Sequence, residues 1–264
     1  DDENVLGIIA VADTVKPTSR EAVTLLKNMN LKILAVLFAI LFTGALNGQD
    51  FLDGSYTFSN KKESYITLTN GDELVGYIKD IDRKKGLIKA ITIKDKNDKK
   101  IELKPEQIKH MYIAPSGFDN FNSATKKAYN ATKWQDDQSA HASHMKQGYV
   151  FFESTEVMIK KEKLTLLLQL INPGFSNKIK VYFDPNAQET ASFGVGGITV
   201  AGGDAKSYYF KKGDAVAFKM MKKNYDDEFE NLYGDCPELK KEFGKNIHWS
   251  NVEEHVFFYS EKCK

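Results

Sequence analysis

An apolar run in an unexpected place constrains this chain more than any other feature. Ile33 to Ala45 reads ILAVLFAILFTGA, 13 residues without a charge. A helix needs roughly 18 or more such residues to cross a bilayer, so the run is too short for a stable span. Met29-Asn30-Leu31-Lys32 stands before it, and small residues follow it up to Gln49. A methionine, a lysine, an apolar core and small residues before a polar one make up a secretory signal. Met29 to Gly48 is expected to be removed on export, leaving no stable membrane span. The remainder is expected to fold in the periplasm or outside the cell.

A signal peptide is expected to begin a protein, so residues 1–28 read as a foreign or misjoined leader. Gly7 to Ala12 has a buried-strand pattern. Ser19 to Asn28 is helical, with Ala22, Val23, Leu25 and Leu26 as its apolar stripe. From Val5 to Ile33 the chain resembles a fragment of the phosphorylation domain of heavy-metal P-type ATPases. There a strand ending in ADTVKP, here Ala12 to Pro17, leads into a helix. Those pumps use a DKTGT aspartate and a GDGxND magnesium motif, and neither occurs here. A metal-pump fragment is therefore the weakest functional reading.

The mature part, Gln49 to Lys264, has 216 residues, enough for one large domain or two small ones. Basic and acidic residues nearly cancel, 37 against 36, and are mixed along the chain. A nucleic-acid surface needs clustered Lys and Arg, so no nucleic-acid partner is expected. The chain has two cysteines, Cys236 and Cys263. In an exported chain these default to one disulfide. It would close a loop of 28 residues, both cysteines counted, and contribute about 3–4 kcal/mol by the chain-entropy argument. No cysteine follows the apolar run at a lipid-attachment position.

Two strand-rich blocks follow. In residues 49–115, Ser64 to Thr69 alternates with the two-residue period of a half-buried strand. Asn70-Gly71-Asp72 turns into Glu73 to Ile81, and Lys84-Lys85-Gly86 into Leu87 to Lys94. Lys99 to Leu103 is a fourth strand, Pro105 to Ile108 a helical turn, and His110 to Ala114 a fifth strand. Five short antiparallel strands predict a small barrel or strongly curled sheet. Residues 116–147 are polar and read as a linker with short helices. In residues 148–222, strands are expected at Tyr149 to Phe152, Glu156 to Lys160, Lys163 to Ile171, Lys178 to Phe183, Ser192 to Ala201, Ser207 to Lys211 and Ala215 to Met221.

Residues 223–264 read as a helical cap. Tyr225, Phe229, Leu232 and Tyr233 form an apolar stripe. Pro237 opens a second helix. Ser250 with Glu253 predicts a capping box for a third, with Val252, Val256 and Tyr259 facing the core. The fold class is α+β, mainly antiparallel β.

The run NLYGDCPELKKEF, Asn231 to Phe243, closing with FFYSEKC, Phe257 to Cys263, resembles a family of secreted Bacteroidetes proteins of unknown function. In them a YYxxKxGD hairpin, matched here with one residue fewer by Tyr208, Tyr209, Lys212, Gly213 and Asp214, precedes a helix ending in GDCPEL, here Gly234 to Leu239. A strand pattern like ITLTNGDELVGYI, Ile66 to Ile78, is common among them. The resemblance implies an envelope or secreted location and the disulfide, and it brings no activity.

Catalytic signatures are absent. The chain has no GxSxG elbow. Gly194 to Gly197 with Gly202-Gly203 lacks the strand–loop–helix setting and the GKS/T of a phosphate loop. Asp226-Asp227 and Glu253-Glu254 read as solvated helix faces rather than an acid–base pair. His141 and His144, three apart beside Asp136 and Asp137, would share a helical face and are the metal candidates. With no HExxH pattern and no third ligand, a solvated patch is expected and no metal or cofactor. His110 reads as a packed or half-exposed strand residue, and His248 and His255 as surface or core-edge positions.

The aromatics give the binding candidates: Tyr149, Phe151, Tyr182, Tyr208 and Tyr209. Alternation sends one ring of each neighbouring pair outward, where it could form a contact patch. The expectation is an envelope-associated, non-enzymatic binding module whose partner is an envelope protein, a peptide or a glycan. An exported hydrolase with a site assembled from distant residues is the alternative.

Overall fold

The structure, a computed structural model, describes residues 50–117, 142–187, 193–195, 198–201, 205–244 and 246–263. The leader, the signal segment and most of the 116–147 linker, His141 included, lie outside the described residues.

The five strands expected in the first block form, but they do not close a barrel by themselves. Strand β1 (Glu63–Leu68) pairs antiparallel with β2 (Glu73–Lys84), and β2 with β3 (Leu87–Asp95). Between β2 and β3 the two loop residues, Lys85 and Gly86, both have positive φ, 50° and 75°. That is the conformation in which a two-residue loop matches strand twist. Strand β4 (Lys100–Leu103) lies beside β3, and β5 (Ile108–Ile113) pairs with β1.

Two features join the second block to the first. Val150 to Ile159 is one unbroken strand, β6, not two. No Gly or Pro stands in Glu153-Ser154-Thr155 to break it. Its first half pairs with β5, and its other edge with β7 (Glu162–Gln169). β7 then reaches β3 through Ile88 opposite Leu167. The path β3–β2–β1–β5–β6–β7 thus closes on itself as a six-stranded barrel. Its interior holds Ile66, Ile91, Ile93, Ile108, Met111 and Ile113, all fully buried.

The second half of β6 takes a parallel partner, β12 (Ala217–Met221), at Ala217 opposite Val157. Beside β12 lie β11 (Ser207–Lys212) and β8 (Ile179–Phe183), and Tyr182 bridges back to Leu170 just past β7. The β6–β7 hairpin is therefore shared by two curled layers, and the blocks form one sheet. A separate hairpin, β9 (Phe193–Val195) with β10 (Ile198–Ala201), occupies the glycine-rich stretch.

Helix α1 (Ala142–Lys146) stands before β6. Helices α2 (Tyr225–Tyr233), α3 (Pro237–Phe243) and α4 (Val252–Lys262) cover one face of β8, β11 and β12, burying Val181, Phe210 and Met220 against Tyr225, Leu232 and Val256. Among the described residues, no helix is long and apolar enough to cross a membrane. Cys236 and Cys263 form the disulfide, Cα atoms 5.5 Å apart. The Ser250 cap does not form. α4 starts at Val252 with Asn251 at its N-cap, and Glu253 instead accepts a hydrogen bond from the Phe51 backbone N–H at 3.1 Å.

The two motifs behind the family resemblance meet here. Lys212 donates to the Leu232 carbonyl at 2.8 Å and to Asp235 at 2.9 Å, while Tyr259 donates to the same carboxylate at 2.8 Å. Lys178 donates to the Tyr259 and Cys263 carbonyls. Lysines from the sheet thus satisfy orphan carbonyls at the C-terminal ends of α2 and α4, where a cation also meets the negative end of the helix dipole. One residue of each motif, Lys212 and Asp235, thus makes a contact between the sheet and the cap.

Candidate functional site

Strand alternation sorts the barrel wall. Ile66 and Met111 point inward, so Tyr65 and Thr67 on β1, His110 and Tyr112 on β5, and Phe151 and Glu153 on β6 share the outer face. In register, Tyr65 stands beside Tyr112 and Phe151, and Thr67 beside His110 and Glu153. Glu73 on β2 sits opposite Thr67.

The upper row is aromatic. The His144 ring lies flat on Tyr112, centroids 4.3 Å apart at 17°, with Tyr65 at 4.8 Å and Tyr149 at 5.9 Å set steeply to it, at 61° and 87°. Tyr65, Tyr112, His144 and Tyr149 are all half-buried, and Phe151 lies beneath them. Burial raises the Tyr112 hydroxyl above its ordinary value, and Glu73 adds to it. Burial likewise raises Tyr149, with Tyr65 and Glu63 contributing.

The lower row is polar. Thr67 Oγ1 donates to Glu73 Oε1 at 2.7 Å and lies 3.0 Å from His110 Nε2. A hydroxyl has one proton, and here the carboxylate takes it. His110 Nε2 must then be the donor, which leaves the lone pair on Nδ1. Burial lowers the His110 pKa, with Glu73 pulling the other way, so the neutral ring of this tautomer is favoured.

Glu153 ends the row as a satisfied hub. It accepts Lys180 Nζ on both oxygens, at 2.8 and 2.9 Å, and the Tyr182 hydroxyl at 2.6 Å. Burial, then the Glu153 charge, drives the Tyr182 hydroxyl far above its ordinary range. Nearby, Asp184 is fully buried, with Lys219 Nζ at 2.6 Å and the Ser207 hydroxyl at 2.6 Å. Burial pushes Tyr209 up to about 12, Asp184 contributing.

No family model, curated protein or solved structure matches this chain. The reading of the site rests on its own geometry.

Of the expected aromatic binders, Tyr149 belongs to the half-buried group. The other four are buried: Tyr182 is 0% exposed, Phe151 and Tyr209 3%, Tyr208 9%. Alternation fails on β8 and β11 because both faces are covered, one by the helices and the other by the β6–β7 hairpin. Tyr208 packs against Trp249 and Phe51, and Tyr209 joins the core with Phe151, Leu168 and Tyr182. These are core residues, not a contact patch. His144 packs among tyrosines. Among the described residues, no group of three or more His, Cys, Asp or Glu has a metal-holding arrangement. His255, expected at a surface or core edge, is fully buried inside the cap. A crevice of about 20 Å³ beside Arg83, Gln169 and Phe183 has room for a water molecule and little more.

Tyr65, Thr67, Glu73, Tyr112 and Glu153 are site residues that strand patterning alone passed over. Their signal was present as polar and aromatic side chains on the outward positions of β1, β2, β5 and β6. Their convergence needs the β1–β5 pairing, which spans 43 residues at Thr67 and His110.

Proposed function

We propose that this chain is an exported, envelope-associated binding module. Its recognition face is the outer barrel wall carrying Tyr65, Tyr112 and Tyr149 with His110 and His144. One observation carries the reading: two strands, α1 and the start of β6 gather half-buried tyrosines and imidazoles onto one face, beside a row of hydrogen-bonding groups. Half-exposed tyrosines give large contact area at low ordering cost and keep a hydroxyl for polar contacts. The Cys236–Cys263 disulfide is compatible with an oxidising compartment.

A hydrolase reading has one observation in its favour, the Glu73–Thr67–His110 line with its lone pair on Nδ1. In that line the threonine proton goes to Glu73 and not to the imidazole, so His110 does not serve as the base for Thr67.

Calorimetric titration of residues 49–264 against panels of envelope glycans and peptides tests the proposal. Binding is expected to be lost in Tyr65→Ala and Tyr149→Ala with thermal stability retained. Binding that survives both substitutions places recognition elsewhere. Amino-terminal sequencing of the protein recovered from the envelope is expected to begin near Gln49. Intact Asp1 on protein recovered from the cytosol contradicts export.

A further inference from the structure

The tyrosine group on the barrel wall is a box, and the chain's own His144 sits in it. Three features describe what the box accepts. The occupant is planar and stacks at 17° on Tyr112, with ring centroids 4.3 Å apart. Tyr65, at 61°, and Tyr149, at 87°, close two sides. Carboxylates bear on the rings of the box: Glu63 on Tyr149 and Glu73 on Tyr112, while beside the box His110 feels Glu73 and Glu153 against Lys109. Tyrosine faces attract cations. A flat cation among tyrosines and carboxylates is what a guanidinium provides, since it stacks on rings and forks onto carboxylates. A lysine ammonium matches the charge but not the plane.

The plug is lightly held. His144 comes from the five-residue helix α1, and among the described residues its side chain makes a long contact, 3.4 Å between Nδ1 and Ser143 Oγ. Its rotation out of the box leaves the β1 and β5 hydrogen-bond ladders intact.

We propose that this box reads an arginine side chain of a peptide or protein partner, which enters by displacing His144 and stacks on Tyr112 with Glu63 and Glu73 as its counter-charges. This inference rests on the reading of the barrel wall as the recognition face.

Three short blocked peptides, identical except for a central arginine, citrulline or lysine, test it by titration against residues 49–264. Citrulline keeps the plane and removes the charge, and lysine does the reverse. The arginine peptide is expected to bind about tenfold or more tighter than either, the size of one desolvated cation–π contact. His144→Ala, which vacates the box, is expected to tighten arginine binding several-fold, and Tyr149→Leu to weaken it about tenfold. Tyr112→Leu gives the same loss if its thermal transition is retained, and Tyr149→Leu serves alone if it is not. Equal affinity for arginine and citrulline peptides overturns the inference. So does an unchanged or weakened affinity in a folded His144→Ala protein, or no arginine binding in either form. If glycans or arginine-free peptides still bind in a Tyr65-dependent manner, the recognition face stands and only the arginine assignment falls.

Discussion

Acid is expected to loosen the helical cap through His255. Its ring is fully buried, stacked on Tyr225 at 5.9 Å and edged by Phe243 at 4.5 Å and Phe229 at 5.3 Å. Nδ1 lies 2.7 Å from the Tyr225 hydroxyl, itself 3.3 Å from that of Tyr233. Burial is the main cause lowering the His255 pKa to about 4; His248 adds to it and the Asn246 backbone offsets part. An unfolded chain takes the proton near 6.5. Between those values the unfolded state binds more protons, so stability falls as pH falls. The contribution is whole above about pH 6.5, fades through the interval and is gone near pH 4. A gap of about 2.5 units corresponds to about 3 kcal/mol. Urea unfolding of residues 49–264 with the disulfide intact, at steps from pH 7.5 to 4, measures it. His255→Gln keeps a polar side chain but cannot titrate. The wild type is expected to lose about 3 kcal/mol more than the variant across that range. Parallel pH profiles for the two proteins refute the argument.

Lys219→Met is expected to cost about 3 kcal/mol in urea unfolding, because it strands the fully buried Asp184 carboxylate. Adding Asp184→Asn should restore part of that loss, and additive costs would contradict the ion pair. Replacing Cys236 and Cys263 with serine should lower stability by about 3–4 kcal/mol at a sequence separation of 27. Unchanged unfolding midpoints with and without reductant would show that the crosslink contributes nothing. Lys212→Met should cost about 1 kcal/mol or less, because Asp235 is 58% exposed and solvent screens the pair. A loss of several kcal/mol would mean that the lysine's seat on the Leu232 carbonyl matters far more than the charge.

Local chemistry was legible in the residues. Asn70-Gly71 and Lys85-Gly86 place turns where the structure has them, and Tyr225, Phe229, Leu232 and Tyr233 mark the buried stripe of α2. Long-range pairing was not. Nothing local in Glu153-Ser154-Thr155 says that β6 runs straight through them, or that its two halves take β5 and β12 as neighbours. Alternation could not show that Tyr208 and Tyr209 are both interior, since each face of β11 is covered by an element distant in sequence. His255 looked peripheral because its aromatic walls come from α2 and α3, not from its own helix. The tyrosine box was half legible: Tyr65 and Tyr112 are outward by period, yet only the β1–β5 pairing brings them together beneath His144.

The recognition face is tested most directly by photo-crosslinking in the cells that make this protein. A benzophenone side chain is introduced as Tyr149→p-benzoylphenylalanine at the box and, as a control, at Leu164, which is 39% exposed on β7. The account predicts a discrete adduct from position 149, none from 164, and loss of the adduct when Tyr65→Ala is added. Adducts of equal yield from both positions, or an adduct from 149 that Tyr65→Ala leaves intact, contradict it.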